Sequence, residues 1–365
     1  MTLIFTVILV ALVFEYINGF HDTANSIATV VSTKVLTPRQ AIILAASTNL
    51  CGALWGTAVA KTIASGLVDV KAVTSEVLVC ALIGAIVWNL ITWWFGMPSS
   101  SSHALVGGLC GATFAATHNN WNVIIWSLPS QEHWWLGKGV LWKVVVPMFT
   151  SPACGLVIGF VFMALLYVLL RNWRPALVNA IFGRLQLLSS ASMGFMHGTN
   201  DAQKTMGIIA LALVAGTASG GFDHLPKWLH FLYTPEPSKG EQLEIAVWIK
   251  VVCAMTMAAG TAAGGWRIIR TLGHKMVKLQ PIHGFAAETT SALVILTATK
   301  LGIPVSTTHN ISAAIMGVGA AKRLNAIKWT VVESMVWAWI FTIPMTGLFA
   351  YAAVRLLQAM GAMPD

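Results

Sequence analysis

Charge is what this sequence has least of. Only 10% of its 365 residues are Asp, Glu, Lys or Arg, while 56% are hydrophobic. Soluble domains carry about a quarter charged residues, so this balance excludes an ordinary soluble domain. No Lys or Arg precedes Lys34, and no small-residue cleavage site follows a short apolar run. The opening segment is therefore expected to stay as a membrane helix rather than leave as a signal peptide. Cysteine is sparse: Cys51, Cys80, Cys110, Cys154 and Cys253 stand singly in apolar stretches. With no CxxC pair, a zinc site and a disulfide framework are disfavoured, and five buried thiols are expected. There is no GxSxG elbow and no phosphate-binding P-loop. A serine hydrolase lacks its signature, and ATP-driven transport would need another chain.

Long apolar runs are abundant. Ten segments of about the length that spans a bilayer read at 2–33, 41–60, 76–96, 98–116, 143–170, 185–215, 245–263, 284–300, 303–320 and 329–357. The expected class is an all-α polytopic membrane protein. Whether 76–116 crosses twice or forms a re-entrant hairpin is open. The net charge of +9 is a topology signal and not a nucleic-acid patch. Arg171, Arg174 and Arg184 follow segment five; Arg267, Arg270, Lys275 and Lys278 follow segment seven; Lys322, Arg323 and Lys328 follow segment nine. The connection after segment six instead holds Asp223, Glu236, Glu241 and Glu244. The positive-inside rule puts the odd connections in the cytoplasm and both termini outside. Trp88, Trp93, Trp94, Trp126, Trp134, Trp135, Trp337 and Trp339 fit interfacial belts and helix packing.

Two motifs recur in the same order. NGFHDTAN (18–25) aligns with HGTNDAQK (197–204), setting Gly19 on Gly198 and Asp22 on Asp201; GMPSSSSH (96–103) aligns with GIPVSTTH (302–309). The chain divides into halves at 1–170 and 185–357, with a basic linker at 171–184 and a tail at 358–365. Five segments per half is an odd number, so the halves are expected to be inverted, with a site near the midplane and broken helices there. Gly19 and Gly198 are the expected breaks, with new half-helices starting at Asp22 and Asp201. Asp22, Asn25 and Ser26 share one helix face, as do Asp201, Lys204 and Thr205. Ionisable residues inside a membrane are expensive and mark function, although capping is the plain alternative. Ser100, Ser101 and Ser102, with Ser306, Thr307 and Thr308, cluster after Pro98 and Pro304 at two helix starts. There, free N–H groups and hydroxyls can hold an anion, with close packing as the alternative. Anion donors beside two carboxylates make sense if a cation or proton enters with the anion, which is symport.

The ordered set of GFHDTAN, HGTNDAQK, PSSSSH and PVSTTH, with ETTSALVILTATKLG before the last, resembles the inorganic phosphate transporter (Pit) family over nearly the whole chain. The resemblance implies an inverted-repeat symporter for inorganic phosphate with its site in these four motifs. Three departures from the sodium-coupled members, at His21, at Gln203 with Lys204, and at Asn49, make it similar to the bacterial proton-coupled, low-affinity branch. That branch takes up phosphate partly as a neutral metal–phosphate complex. The expected phosphate ligands are Asn25, Ser100, Ser101, Ser102, Lys204, Ser306, Thr307 and Thr308. The expected cation or proton residues are His21, Asp22, Asn200, Asp201 and Glu288. No cofactor is expected beyond the co-transported proton or sodium and a divalent metal carried with phosphate. The partners are phosphate, the coupling cation and the lipid bilayer of a bacterial inner membrane, with no nucleic acid and a homodimer left open. Sodium coupling, or another oxyanion such as sulfate or arsenate, is the alternative; a channel is a further class. His103 and His309 are expected to orient the serine loops, and Glu15 to gate, to relay protons, or to pair near the interface.

Overall fold

The computed structural model describes residues 2–128, 137–218, 220, 222, 226–235, 244–323, 325 and 327–363. Trp134, Trp135, Asp223, Glu236 and Glu241 lie outside them. The described residues are helical apart from loops and isolated bridges. In chain order the helices are α1 Thr2–Ser32, α2 Pro38–Ala53, α3 Ala58–Ser65, α4 Ser75–Phe95, α5 Ser101–Ala116 and α6 Val146–Leu169, followed by α7 Pro175–Ala218, α8 Val247–Ala263, α9 Trp266–Arg270, α10 Pro281–Lys300, α11 Thr307–Lys322 and α12 Trp329–Ala359. Among the described residues, four segments are each long and apolar enough to cross a membrane: Thr2–Ser32, Ser75–Phe95, Leu141–Leu169 and Trp329–Ala359. The pairs α2–α3 and α8–α9, bent by 70° and 61°, raise the number to six when each is one span. The chain is an integral membrane protein.

Local sequence sets the ends of these helices. Thr37 caps α2 through a capping box with Gln40, and Pro38 opens its first turn. Gly96, at φ 65°, ends α4 in the left-handed conformation, and its counterpart Gly302 has φ 63°. α5 and α11 each have 16 residues, about 24 Å, which falls short of the ~30 Å hydrocarbon core. Each packs back against its predecessor, so α4–α5 and α10–α11 are hairpins. Their tips are tied in equivalent ways: Thr271 Oγ1 donates to the Gly96 carbonyl (2.9 Å) and Thr62 Oγ1 to the Gly302 carbonyl (2.7 Å).

The packing pairs of the two halves correspond. α1 lies on α8 as α7 lies on α2, and α5 lies on α12 as α11 lies on α6. α1 and α7 run antiparallel: Glu15 meets Thr205, Ser26 meets Ser190, and Thr33 meets Gln186. Antiparallel equivalents are what inverted halves require. Apolar side chains form two cores. One takes the start of α1 and the end of α7, the other the end of α1 and the start of α7. The polar middle of both helices lies between the two.

Three expectations need correction. α1 and α7 are continuous through Gly19 and Gly198, so neither glycine breaks a helix. Both exist for close approach: a Cβ on Gly19 would strike the Met257 carbonyl of α8, and one on Gly198 the Asn49 carbonyl of α2. The breaks near the site fall instead between α4 and α5 and between α10 and α11. The linker at 171–184 is mostly helix, because Pro175 opens α7. Of the five thiols, Cys80 and Cys253 are buried, but Cys51 and Cys154 face outward.

Gly198→Ala should therefore lower the thermal unfolding temperature of the detergent-purified protein, by a cost of about 1–3 kcal/mol for overpacking. Gly183→Ala, on the same helix with only Val35 Cγ2 at 3.9 Å, should be neutral or stabilising. Equal effects at both positions would contradict the packing role.

Candidate functional site

The continuous middles of α1 and α7 bring their motifs face to face with the two hairpin tips. Asn25 Nδ2 donates to Thr307 Oγ1 (3.1 Å) and Thr308 Oγ1 (2.9 Å) at the start of α11. Thr308 Oγ1 in turn donates to Asp22 Oδ1 (3.2 Å), and Thr307 Oγ1 to Asp201 Oδ2 (3.0 Å). In the repeat register Lys204 is the counterpart of Asn25. Its ammonium donates to Ser102 Oγ at the start of α5, to Asp201 Oδ1, and to the Val305 carbonyl at 3.2 Å. Each half thus reaches across to the hairpin of the other. All of these side chains are buried.

The carboxylates are held from several sides. His21 Nδ1 lies 2.9 Å from Asp22 Oδ1, and His21 Nε2 lies 3.1 Å from Thr92 Oγ1 at the end of α4. His197 Nε2 lies 3.0 Å from Asp201 Oδ2, while its Nδ1 faces Asn49 Oδ1 at 3.1 Å. One ligand atom each from Asp22, His197 and Asp201 falls within 4.8 Å of the others, a spacing that suits a bound cation. Beside it stand two helix N-termini, the Ser/Thr hydroxyls and one ammonium, the donors an oxyanion needs. Ser101 Oγ and Asn25 Oδ1 are buried with no partner among the described residues. Groups with the chemistry to hold an anion and groups with the chemistry to hold a cation are therefore contiguous in one buried cluster.

The chain matches the phosphate transporter family model over residues 18–350. It belongs to the phosphate transporter family. A Bacillus subtilis protein described as a probable low-affinity inorganic phosphate transporter is 40% identical over 362 residues, covering 97% of this chain and 98% of its own. A Rhizobium meliloti protein of the same description is 43% identical over 349 residues, covering 94% and 93%. A solved structure titled "The sodium-dependent phosphate transporter" superposes with a TM-score of 0.79 at 24% identity, covering 99% of this chain and 100% of that one. At that identity the likeness shows the fold. These relatives are named as transporters, not enzymes.

Within this phosphate transporter family member, not every expected residue reaches the central cluster. Ser100 and Ser306 spend their hydroxyls as N-caps, accepting from the His103 and His309 backbone N–H at 3.2 and 3.1 Å. Asn200 holds the second hairpin, donating to Thr299 Oγ1 (2.9 Å) and the Ile303 carbonyl (3.3 Å). Glu288 stands apart among neutral donors, accepting from the Thr29 and Ser189 hydroxyls and from the Gln186 side-chain amide Nε2 at 3.3 Å. Among the described residues, the imidazoles of His103 and His309 make no hydrogen bond to the serine loops. They pack edge to face on one another at 4.8 Å, and His309 stacks on Trp339 at 4.2 Å. Sequence reasoning missed His197 as a site residue, although it heads the HGTNDAQK motif one helical turn before Asp201. It also missed Thr92, for which no signal stood out within an apolar segment.

Removing both α11 hydroxyls with Thr307→Val and Thr308→Val should weaken phosphate binding to the purified transporter about thirtyfold, each of the two lost hydrogen bonds being worth ~1 kcal/mol. Thr297→Val, whose hydroxyl is exposed and bonds its own helix, should leave the binding isotherm unchanged.

Proposed function

We propose that this protein is a secondary active symporter of inorganic phosphate, coupled to protons, with phosphate bound between the N-termini of α5 and α11. The observation that carries the reading is the placement of Lys204, whose ammonium lies between Asp201 and Ser102. A lysine there supplies a fixed positive charge where a bound sodium ion would otherwise neutralise Asp201. The anion then meets one ammonium, Ser101, Ser102, Thr307 and Thr308, and two helix dipoles directed at it. Asn25 sets the two threonines, while Ser100 and Ser306 shape the two helix starts. His21 bridges Asp22 and Thr92 and so ties that carboxylate to the end of α4.

The cluster of Asp22, His197 and Asp201 supports a divalent metal entering with phosphate as a neutral complex. Two carboxylates and an imidazole suit such an ion better than phosphate alone. The antiparallel α1 and α7 support inverted halves that exchange access around a fixed site. With the basic clusters inside, both termini face outward from the inner membrane of a bacterium.

Purified protein in liposomes should accumulate labelled phosphate under an imposed pH gradient without sodium, and a sodium gradient at equal pH should drive none. Uptake driven by sodium alone would overturn proton coupling. Stronger competition by sulfate than by unlabelled phosphate would overturn the assignment of the anion. Lys204→Asn should reduce pH-driven uptake at least tenfold. Unchanged transport and unchanged cation dependence in that variant would refute the tethered-charge account.

A further inference from the structure

α1 carries a buried polar seam that extends beyond the phosphate site in both directions. Glu15, Asn18, Asp22, Asn25 and Thr29 recur at alternating spacings of three and four, so they share one helix face, and all are buried. Glu15 lies seven residues before Asp22 and Thr29 seven after it, about 10 Å to either side along the axis. At the Thr29 end the seam meets Glu288, which has three side-chain donors. At the other end Glu15 is less well satisfied. Its Oε2 accepts from the Thr205 hydroxyl, the Asn18 side chain stands beside the carboxyl, and its Oε1 makes no well-formed hydrogen bond among the described residues.

No architectural role accounts for this acid. The register that sets Asp22 on Asp201 sets Glu15 on Gly194, so the other half builds the corresponding helix without a carboxyl. No Lys or Arg makes an ion pair with it among the described residues. The charged groups nearest in its field are Lys204 and Asp201, on the helix that also supplies Thr205, and the Cys253 thiol stands on α8. α4 carries Glu76 in its first turn and the Cys80 thiol, α2 carries Arg39 in its first turn and the Cys51 thiol, and α8 carries Lys250 besides Cys253. A carboxyl buried inside a membrane protein with one unsatisfied oxygen is costly and marks function.

We propose that Glu15 takes up the coupling proton. The inference rests on the proton-coupled reading above. In this structure the Lys204 ammonium pairs with Asp201. When phosphate binds between the hairpins, Lys204 turns its charge to the anion, leaving Asp201 without its ion-pair partner and moving the one nearby positive charge away from Glu15. One proton from water then binds a Glu15 carboxyl oxygen, and the same proton returns to water when phosphate leaves. Asn18, between Glu15 and Asp22 on the seam, lines the route that links the proton station to the site. The donor is a hydronium ion, whose O–H bond breaks as the carboxyl O–H bond forms, leaving water; no other bond changes.

The test compares net uptake with phosphate–phosphate exchange in liposomes holding the full-length protein, wild type or Glu15→Gln. Net uptake driven by a pH gradient should fall at least tenfold in Glu15→Gln, while exchange stays within about twofold of wild type and loses its dependence on pH. Glu15→Asp should restore part of the net uptake. Wild-type net uptake and pH dependence in Glu15→Gln would overturn the inference, as would an equal loss of exchange and net uptake, which marks a structural role. Failure of the wild-type protein to exchange phosphate at all would instead refute the phosphate reading. Wild-type exchange that ignores pH would overturn proton coupling and this inference together.

Discussion

The Lys204 ammonium, buried between Asp201 and Ser102, is the contact on which the rest of the site depends. It joins α7 of the second half to the start of α5 in the first. Its reach to the Val305 carbonyl ties in the tip of the second hairpin as well. A buried lysine is tolerable only with a carboxylate and full hydrogen bonding, and this one has both. An oxyanion arriving between the hairpins competes with Asp201 for the same ammonium. Under the function proposed above, binding the anion would change the electrostatic state of the carboxylates around it, and that change would couple anion to cation.

The architecture serves that contact. Two apolar cores grip opposite ends of α1 and α7 and leave their middles polar. Glycines at Gly19 and Gly198 let the neighbouring helices α8 and α2 approach these middles closely. The hairpins bring two short helices in with their N-termini toward the centre, where a continuous span would have presented only side chains. Equivalent threonine contacts at Gly96 and Gly302 hold the two tips. Each of these devices occurs once per half, so the duplication seen in the motifs is also a duplication of packing.

Much of this was legible in the sequence, because it rests on residue types that are rare in apolar chain. The ten apolar segments correspond to ten structural units, and the four polar motifs meet as their duplication implied. The glycines misled because two physical needs select the same residue. In a membrane helix, glycine serves a break or a close approach equally well, and only the neighbouring backbone decides. Histidine misled in the opposite direction. His103 and His309 carry the loop contacts through their backbone N–H groups, and their rings pack on each other, which no local pattern encodes. Glu288 sits in a conspicuous motif, yet its partners Thr29, Gln186 and Ser189 are distant in sequence and separate it from the two aspartates. Long-range side-chain pairing of this kind cannot be read from a single chain without knowing how α1, α7 and α10 meet.

The most direct measurement is an experimental structure of the protein with arsenate, whose anomalous signal locates a phosphate-like anion. The account predicts one peak between the N-termini of α5 and α11, within hydrogen-bond distance of Ser102, Thr308 and the Lys204 ammonium. A peak elsewhere, with Lys204 still paired to Asp201, would contradict it.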